Sequence, residues 1–171
     1  IGGIFDDCVD GLWEGISTQS GAPNWAIEQQ GDNWVLDVAF NSDAPFSIES
    51  GALSDPDTPN EWADLRAFAA GTLSFELKVV SFGSNLNGFE VGIGGAMQPL
   101  ATKAIHPVNA GSWQSYSIEL KELIDQGVTL EQVQQGFVLK TAAGEFEGVH
   151  LQIDNIRLNA PIPEPMDWAL L

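Results

Sequence analysis

Apolar side chains recur along most of this chain with period two. In Leu73-Ser74-Phe75-Glu76-Leu77-Lys78-Val79-Val80 the odd positions are apolar, Ser, Glu and Lys stand between them, and Gly71-Thr72 precedes. That alternation is what a strand shows when one face is buried and the other is wet. Trp34-Val35-Leu36-Asp37-Val38-Ala39-Phe40 repeats it between the turn-forming Gly31-Asp32-Asn33 and Asn41-Ser42-Asp43. Further strands are predicted at 25–29, 46–50, 89–93, 113–120, 137–140 and 149–158, separated by short turn signals. The pattern predicts an all-β fold, an antiparallel two-sheet β-sandwich, rather than a parallel sheet with crossover helices. Helix is scarce: one or two turns at 61–70, another at 121–126, and a turn capped by Thr129 that runs to Gln134. No repeat or linker interrupts residues 1–159. The tail, 160–171, is proline-rich and expected to be extended, because proline fixes φ and lacks a ladder donor.

Composition narrows the function. A chain of 171 residues can bury a single core without disulfide staples. Its 24 acidic and 6 basic residues leave a net charge of -18. Arg66, Lys78, Lys103, Lys121, Lys140 and Arg157 are scattered, so no basic patch exists to hold nucleic acid or an anionic membrane. No apolar run approaches the ~20 residues of a membrane span. One cysteine, Cys8, excludes an internal disulfide and thiolate zinc sites, and reads as a small buried hydrophobe. What remains is a neutral or cationic ligand. The excess acid suits solubility, salty surroundings, or calcium. Few lysines and many Gly, Asn, Ser and Thr point to an extracellular or periplasmic bacterial protein. The start at Ile1, without methionine or signal peptide, reads as a piece of something longer.

Signals for catalysis are weak. There is no Gly-x-Ser-x-Gly elbow, and neither His106 nor His150 has a nucleophile partner by spacing. His150 alternates with Val149 and Leu151, which predicts an outward or hydrogen-bonded side chain. Gly92-Ile93-Gly94-Gly95 lacks the helix a dinucleotide fingerprint requires. Glu76 and Glu90 are placed to face one another on neighbouring strands, as a glycosidase pair would, although solvated outward carboxylates are the simpler expectation. Calcium is the better use of the acid. Asp6 and Asp7 near the start and Asp154 near the end converge on one ion if the first and last strands pair, and hard oxygens suit it. Six tryptophans are the other signal, since sugars present flat C–H faces to exposed indoles. Trp13, Trp25 and Trp113 are expected in the core, whereas Trp34 beside a turn and Trp62 in a Pro-, Asp- and Asn-rich loop are the candidate platforms.

The residues also resemble a family. Ile4-Phe5-Asp6-Asp7-Cys8 with Trp13, Gly71 through Val79, Gly111-Ser112-Trp113-Gln114-Ser115-Tyr116-Ser117-Ile118, and Val149 through Leu158 resemble, in order, strands of β-sandwich carbohydrate-binding modules. They are similar in particular to the galactose-binding-like C-terminal domain of marine bacterial family 3 exo-1,3/1,4-β-glucanases. The resemblance covers about residues 4–158. It implies a jelly-roll, galactose-binding-like sandwich, with a structural calcium held by Asp6 or Asp7 and by Asp154. No aromatic position carries over. Pro163-Glu164-Pro165 with Trp168-Ala169-Leu170-Leu171 resembles the start of a bacterial Pro-Glu-Pro sorting signal, without its span or arginine cluster.

Together these readings lead to a non-catalytic module that binds a neutral polysaccharide, a β-glucan, and serves a covalently attached glycoside hydrolase. Trp34 and Trp62 would stack on sugar, and Asn85, Asn87 and Gln98 would supply polar contacts. Two alternatives stay open: a calcium-stabilised structural or assembly module, and a small glycosidase or lyase on the same scaffold.

Overall fold

A computed structural model describes residues 24–31, 33–41, 47–49, 54–55, 58–62, 64–83, 88–94, 100–107, 109–140 and 147–161. Among the described residues eleven strands follow in chain order: β1 Asn24–Gln30, β2 Asn33–Ala39, β3 Ser47–Glu49, β4 Ser54–Asp55, β5 Thr58–Trp62, β6 Thr72–Phe82, β7 Phe89–Gly94, β8 Ala101–Ile105, β9 Trp113–Glu119, β10 Gln135–Lys140 and β11 Val149–Asn159. They form a five-stranded sheet, β1-β2-β11-β6-β9, a four-stranded sheet, β3-β10-β7-β8, and a β4-β5 ribbon. Paired strands run antiparallel in every named pair. The expected antiparallel β-sandwich is the fold.

The alternation seen in sequence is what closes the sandwich. Along β6, Leu73, Phe75, Leu77 and Val79 are buried while the residues between them are half-exposed. Leu36 and Val38 of β2 and Leu151 and Ile153 of β11 point the same way. Val91, Ile93, Phe137 and Leu139 answer them from the four-stranded sheet. Each such side chain contributes roughly 1.5–3 kcal/mol relative to exposure. Phe75 ties the layers together, stacked on Tyr116 at 5.3 Å within its own sheet and edge-on to Phe137 of the other at 5.6 Å. The helix α1, Leu120–Ile124, caps the core with Leu120 and Leu123.

Two local features differ from the sequence expectation. The helix expected at 61–70 is a strand through Trp62 followed by a single 3₁₀ turn, Arg66–Phe68. The Leu65 N–H is drawn across the fold to the Leu130 carbonyl at 2.6 Å, and the Asp64 carboxylate clasps the Arg66 guanidinium at 2.6 Å. Strand β8 is absent from the sequence reading because Ala101-Thr102-Lys103-Ala104-Ile105 lacks a strong alternation. Its partner decides it, with Phe89 opposite Ile105 and Ile93 opposite Ala101. The turn expected after Thr129 lies at 130–131, with Leu130 and Val133 buried in the core.

Candidate functional site

Antiparallel register lines up the outward side chains of the five-stranded sheet in rows that run across the strands. One row comprises Trp113, Lys78, Gln152 and Asp37, the next Ser115, Glu76 and Asp154, and a third Ser117, Ser74 and Arg157. Neighbours within a row are separated by the strand spacing of about 4.8 Å. Apart from the Trp113 indole, these rows are polar and heavily hydrogen-bonded. Asp37 lies 2.7 Å from His150 Nε2 and accepts from Gln152 Nε2 at 2.9 Å. Glu76 accepts from Asn155 Nδ2 at 2.9 Å and from the Ser115 hydroxyl at 3.3 Å. His150 is thus the outward, hydrogen-bonded histidine expected of its position.

A shallow depression of about 280 Å³ opens in this face, with Ser74, Glu76, Ser115, Asn155 and Arg157 in its wall. Beside it stands Trp113, 37% exposed, with the Lys78 ammonium 5.9 Å from its ring. Both Trp113 and Trp25 were expected in the core, and both are exposed. Trp113 faces outward opposite Lys78 on β9, an edge of this sheet among the described residues. Trp25, 41% exposed, lies on the other edge strand, β1, where only Ile27 is even half-buried. An edge strand has a neighbour on one side only, and alternation does not say which strands are edges.

The other candidates fall elsewhere. Trp34 points to the core side with Leu36 and Val38 and is half-buried against the core, so it covers the interior rather than offering a flat exposed face. Trp62 ends β5, opposite Ser54, and nothing is described of its side chain. Asn85, Asn87, Gln98, Asp6, Asp7, Cys8 and Trp13 lie outside the described residues. Glu76 and Glu90 do not face one another: Glu76 is on β6 and Glu90 on β7, in different sheets. Glu90 pairs instead with Lys140 at 2.7 Å and accepts from the Thr102 hydroxyl at 3.1 Å. The hydrogen bond from the Lys140 ammonium holds its carboxyl below the usual range, even though partial burial works in the opposite direction.

Asp154 is 4% exposed on the outward face of the last strand, and its Oδ1 accepts the Asn155 N–H at 2.6 Å. A buried carboxylate is a fitting hard-oxygen ligand for calcium. Among the described residues, no group of three or more His, Cys, Asp or Glu is placed to hold a metal. None of the described helices is long and apolar enough to cross a membrane.

Asn155, Arg157 and Gln152 were missed as site residues. A signal for the first two is present in Ile153-Asp154-Asn155-Ile156, where inward residues stand three apart in a strand that otherwise alternates, the mark of an inserted residue.

No protein-family model matches the sequence, and no curated protein matches it. Solved structures do. The family 11 carbohydrate-binding module from Clostridium thermocellum, in complex with a beta-1,3-1,4-mixed-linked tetrasaccharide, is 16% identical over 94% of this chain and 96% of that one, with a TM-score of 0.64. The family 30 module of the cellulosomal cellulase Cel9D-Cel44B of the same organism is 14% identical over 85% of this chain and 86% of that one, at 0.60. An exo-beta-agarase is 15% identical, matching 94% of this chain but 24% of its own, at 0.60. The chain therefore has the β-sandwich fold of carbohydrate-binding modules.

Proposed function

We propose that this domain is a non-catalytic carbohydrate-binding module of a secreted bacterial glycoside hydrolase, and that it binds a neutral β-glucan. The exposed Trp113 indole beside the depression around Glu76 carries this reading. Carboxylate, amide, hydroxyl and guanidinium groups there match the hydroxyls of a sugar, and an indole matches its C–H face. A rigid sheet presents them, so little entropy is lost on binding. The net charge of -18 favours a neutral polymer over an acidic one. Tethering such a module to a catalytic domain raises the local concentration of substrate. The match to about a quarter of an exo-beta-agarase chain supports an attached enzyme.

Affinity electrophoresis on laminarin, mixed-linkage glucan, agarose and xylan tests the proposal. The expected result is retardation by a glucan that Trp113→Ala weakens about tenfold or more, the size of a hot-spot truncation. Its stability should fall by no more than the ~1 kcal/mol of the Lys78 cation–π contact. Loss of binding in Trp62→Ala with Trp113→Ala intact would move the platform to the β4-β5 ribbon. No retardation on any polymer would reject sugar binding in favour of a structural module.

Calcium belongs to the same proposal, with Asp154 as one ligand and Asp6 or Asp7 as others. Added calcium should raise the Tm of the wild-type domain, chelation should lower it, and Asp154→Asn should abolish the dependence. A wild-type Tm that ignores both calcium and chelator defeats the calcium reading and leaves the sugar reading in place.

A further inference from the structure

Strand β11 runs through the middle of the five-stranded sheet, and its register with β6 slips once. Asp154 lies opposite Glu76 and Arg157 opposite Ser74, so Asn155 and Ile156 together face Phe75. This is a β-bulge, a device that re-aims side chains. Without it, the outward parity of Gln152 and Asp154 would continue to Ile156 and Leu158. With it, Ile156 and Leu158 return to the core at 2% and 3% exposure, and three polar residues, Asp154, Asn155 and Arg157, share one place on the outer face.

The bulge requires Asn155 to adopt a φ of +51°, and it is the one non-glycine residue with positive φ among those described. Glycine would adopt that conformation at no steric cost. The chain places asparagine there, and its amide is engaged through both its nitrogen and its oxygen. Nδ2 donates to Glu76 Oε2 at 2.9 Å and reaches Asp154 Oδ2 at 3.4 Å, and Oδ1 accepts from Arg157 Nη2 at 3.2 Å. Asn155 thus couples an acceptor group to a donor group across the depression. Each Glu76 oxygen has one described donor, Asn155 on Oε2 and Ser115 on Oε1, and a carboxylate oxygen has capacity for a second. At about 280 Å³ the depression falls just below the roughly 300–1,000 Å³ of drug-sized ligand sites. That is room for one ring rather than several.

We propose that Asn155 is the specificity-determining residue of this depression: its left-handed bulge holds Glu76 and Arg157 at the spacing that reads two adjacent hydroxyls of one neutral pyranose ring. The inference rests on the carbohydrate-binding reading and sharpens it. Internal 4-linked glucose rings carry free adjacent hydroxyls at C2 and C3. Internal 3-linked rings have theirs at C2 and C4, which are not adjacent. The domain should therefore prefer mixed-linkage glucan, which contains 4-linked rings, over laminarin.

The test compares retardation on these two polymers for the wild-type domain and for Asn155→Gly, which keeps the left-handed backbone and removes only the amide. The wild type is expected to bind mixed-linkage glucan at least tenfold more tightly than laminarin. Asn155→Gly is expected to stay folded, with a Tm lowered by the lost hydrogen bonds, and to lose that ratio. Glu76→Gln, which preserves size and removes the charge, is a second variant should the glycine substitution unfold the domain, and it should lose the ratio too. An unchanged ratio in the folded variants overturns the inference. So does a wild type that binds both polymers equally, and in that case carbohydrate binding itself stands. A wild type that binds neither polymer overturns both.

Discussion

Replacing Phe75 by alanine is expected to destabilise the domain by about 3–5 kcal/mol, the range for a fully buried phenylalanine. Phe75 is 1% exposed and is the ring through which the two sheets meet, with Tyr116 on one side and Phe137 on the other. Its removal loses the transfer energy of the ring. It also leaves a cavity that strands pinned by ladder hydrogen bonds cannot collapse to fill. Against a total stability of roughly 5–15 kcal/mol, such a loss should move the urea midpoint far down without changing the slope of the transition. An unfolding free energy within about 0.5 kcal/mol of wild type, as for a surface substitution, would mean that the sheets do not pack through this residue.

Gly92→Ala is expected to be as severe for a different reason. Gly92 lies in the middle strand of β10-β7-β8, opposite Thr102 and Val138, and a Cβ there would stand 1.8 Å from the Ala101 carbonyl oxygen and 2.8 Å from Thr102 Cα. Both atoms are backbone, so no rotamer change relieves the clash, and β8 must move away from β7. A cost of about 3 kcal/mol or more follows, the upper end for overpacking. Hydrogen exchange should then show lost protection in Ala101–Ile105, with Leu73, Leu77 and Val79 of β6 still protected. A variant with wild-type Tm and full protection in β8 would show that the two strands are not paired at this spacing.

The two substitutions differ in what could be foreseen. Phe75 is legible as a core residue from its place in Leu73-Ser74-Phe75-Glu76-Leu77, because period two in a strand means one face inward. Gly92 is not. The dipeptide spacing around it suggested only a discounted nucleotide motif, and the reason for glycine lies in the Ala101 carbonyl, nine positions further along the chain, brought near by β7–β8 pairing. Trp113 shows the same division. Alternation puts it on a strand, but whether that strand is central or an edge depends on its neighbours. The separation of Glu76 from Glu90 does too, since residues on two outward faces look alike until the sheets are assigned.

From the sequence alone came the β class, most strand positions, the inward and outward parity of β6, and the expectation, from net charge, of no nucleic-acid or anionic-membrane partner. Those are local or additive properties: side-chain period belongs to one strand, and net charge is a sum. The tertiary structure alone decided strand order, the existence of β8, the exposure of Trp25 and Trp113, and the cluster of Glu76, Ser115, Asn155 and Arg157. These depend on pairing between residues far apart in the chain, where register, bulges and edges are set by hydrogen bonds that no single segment contains.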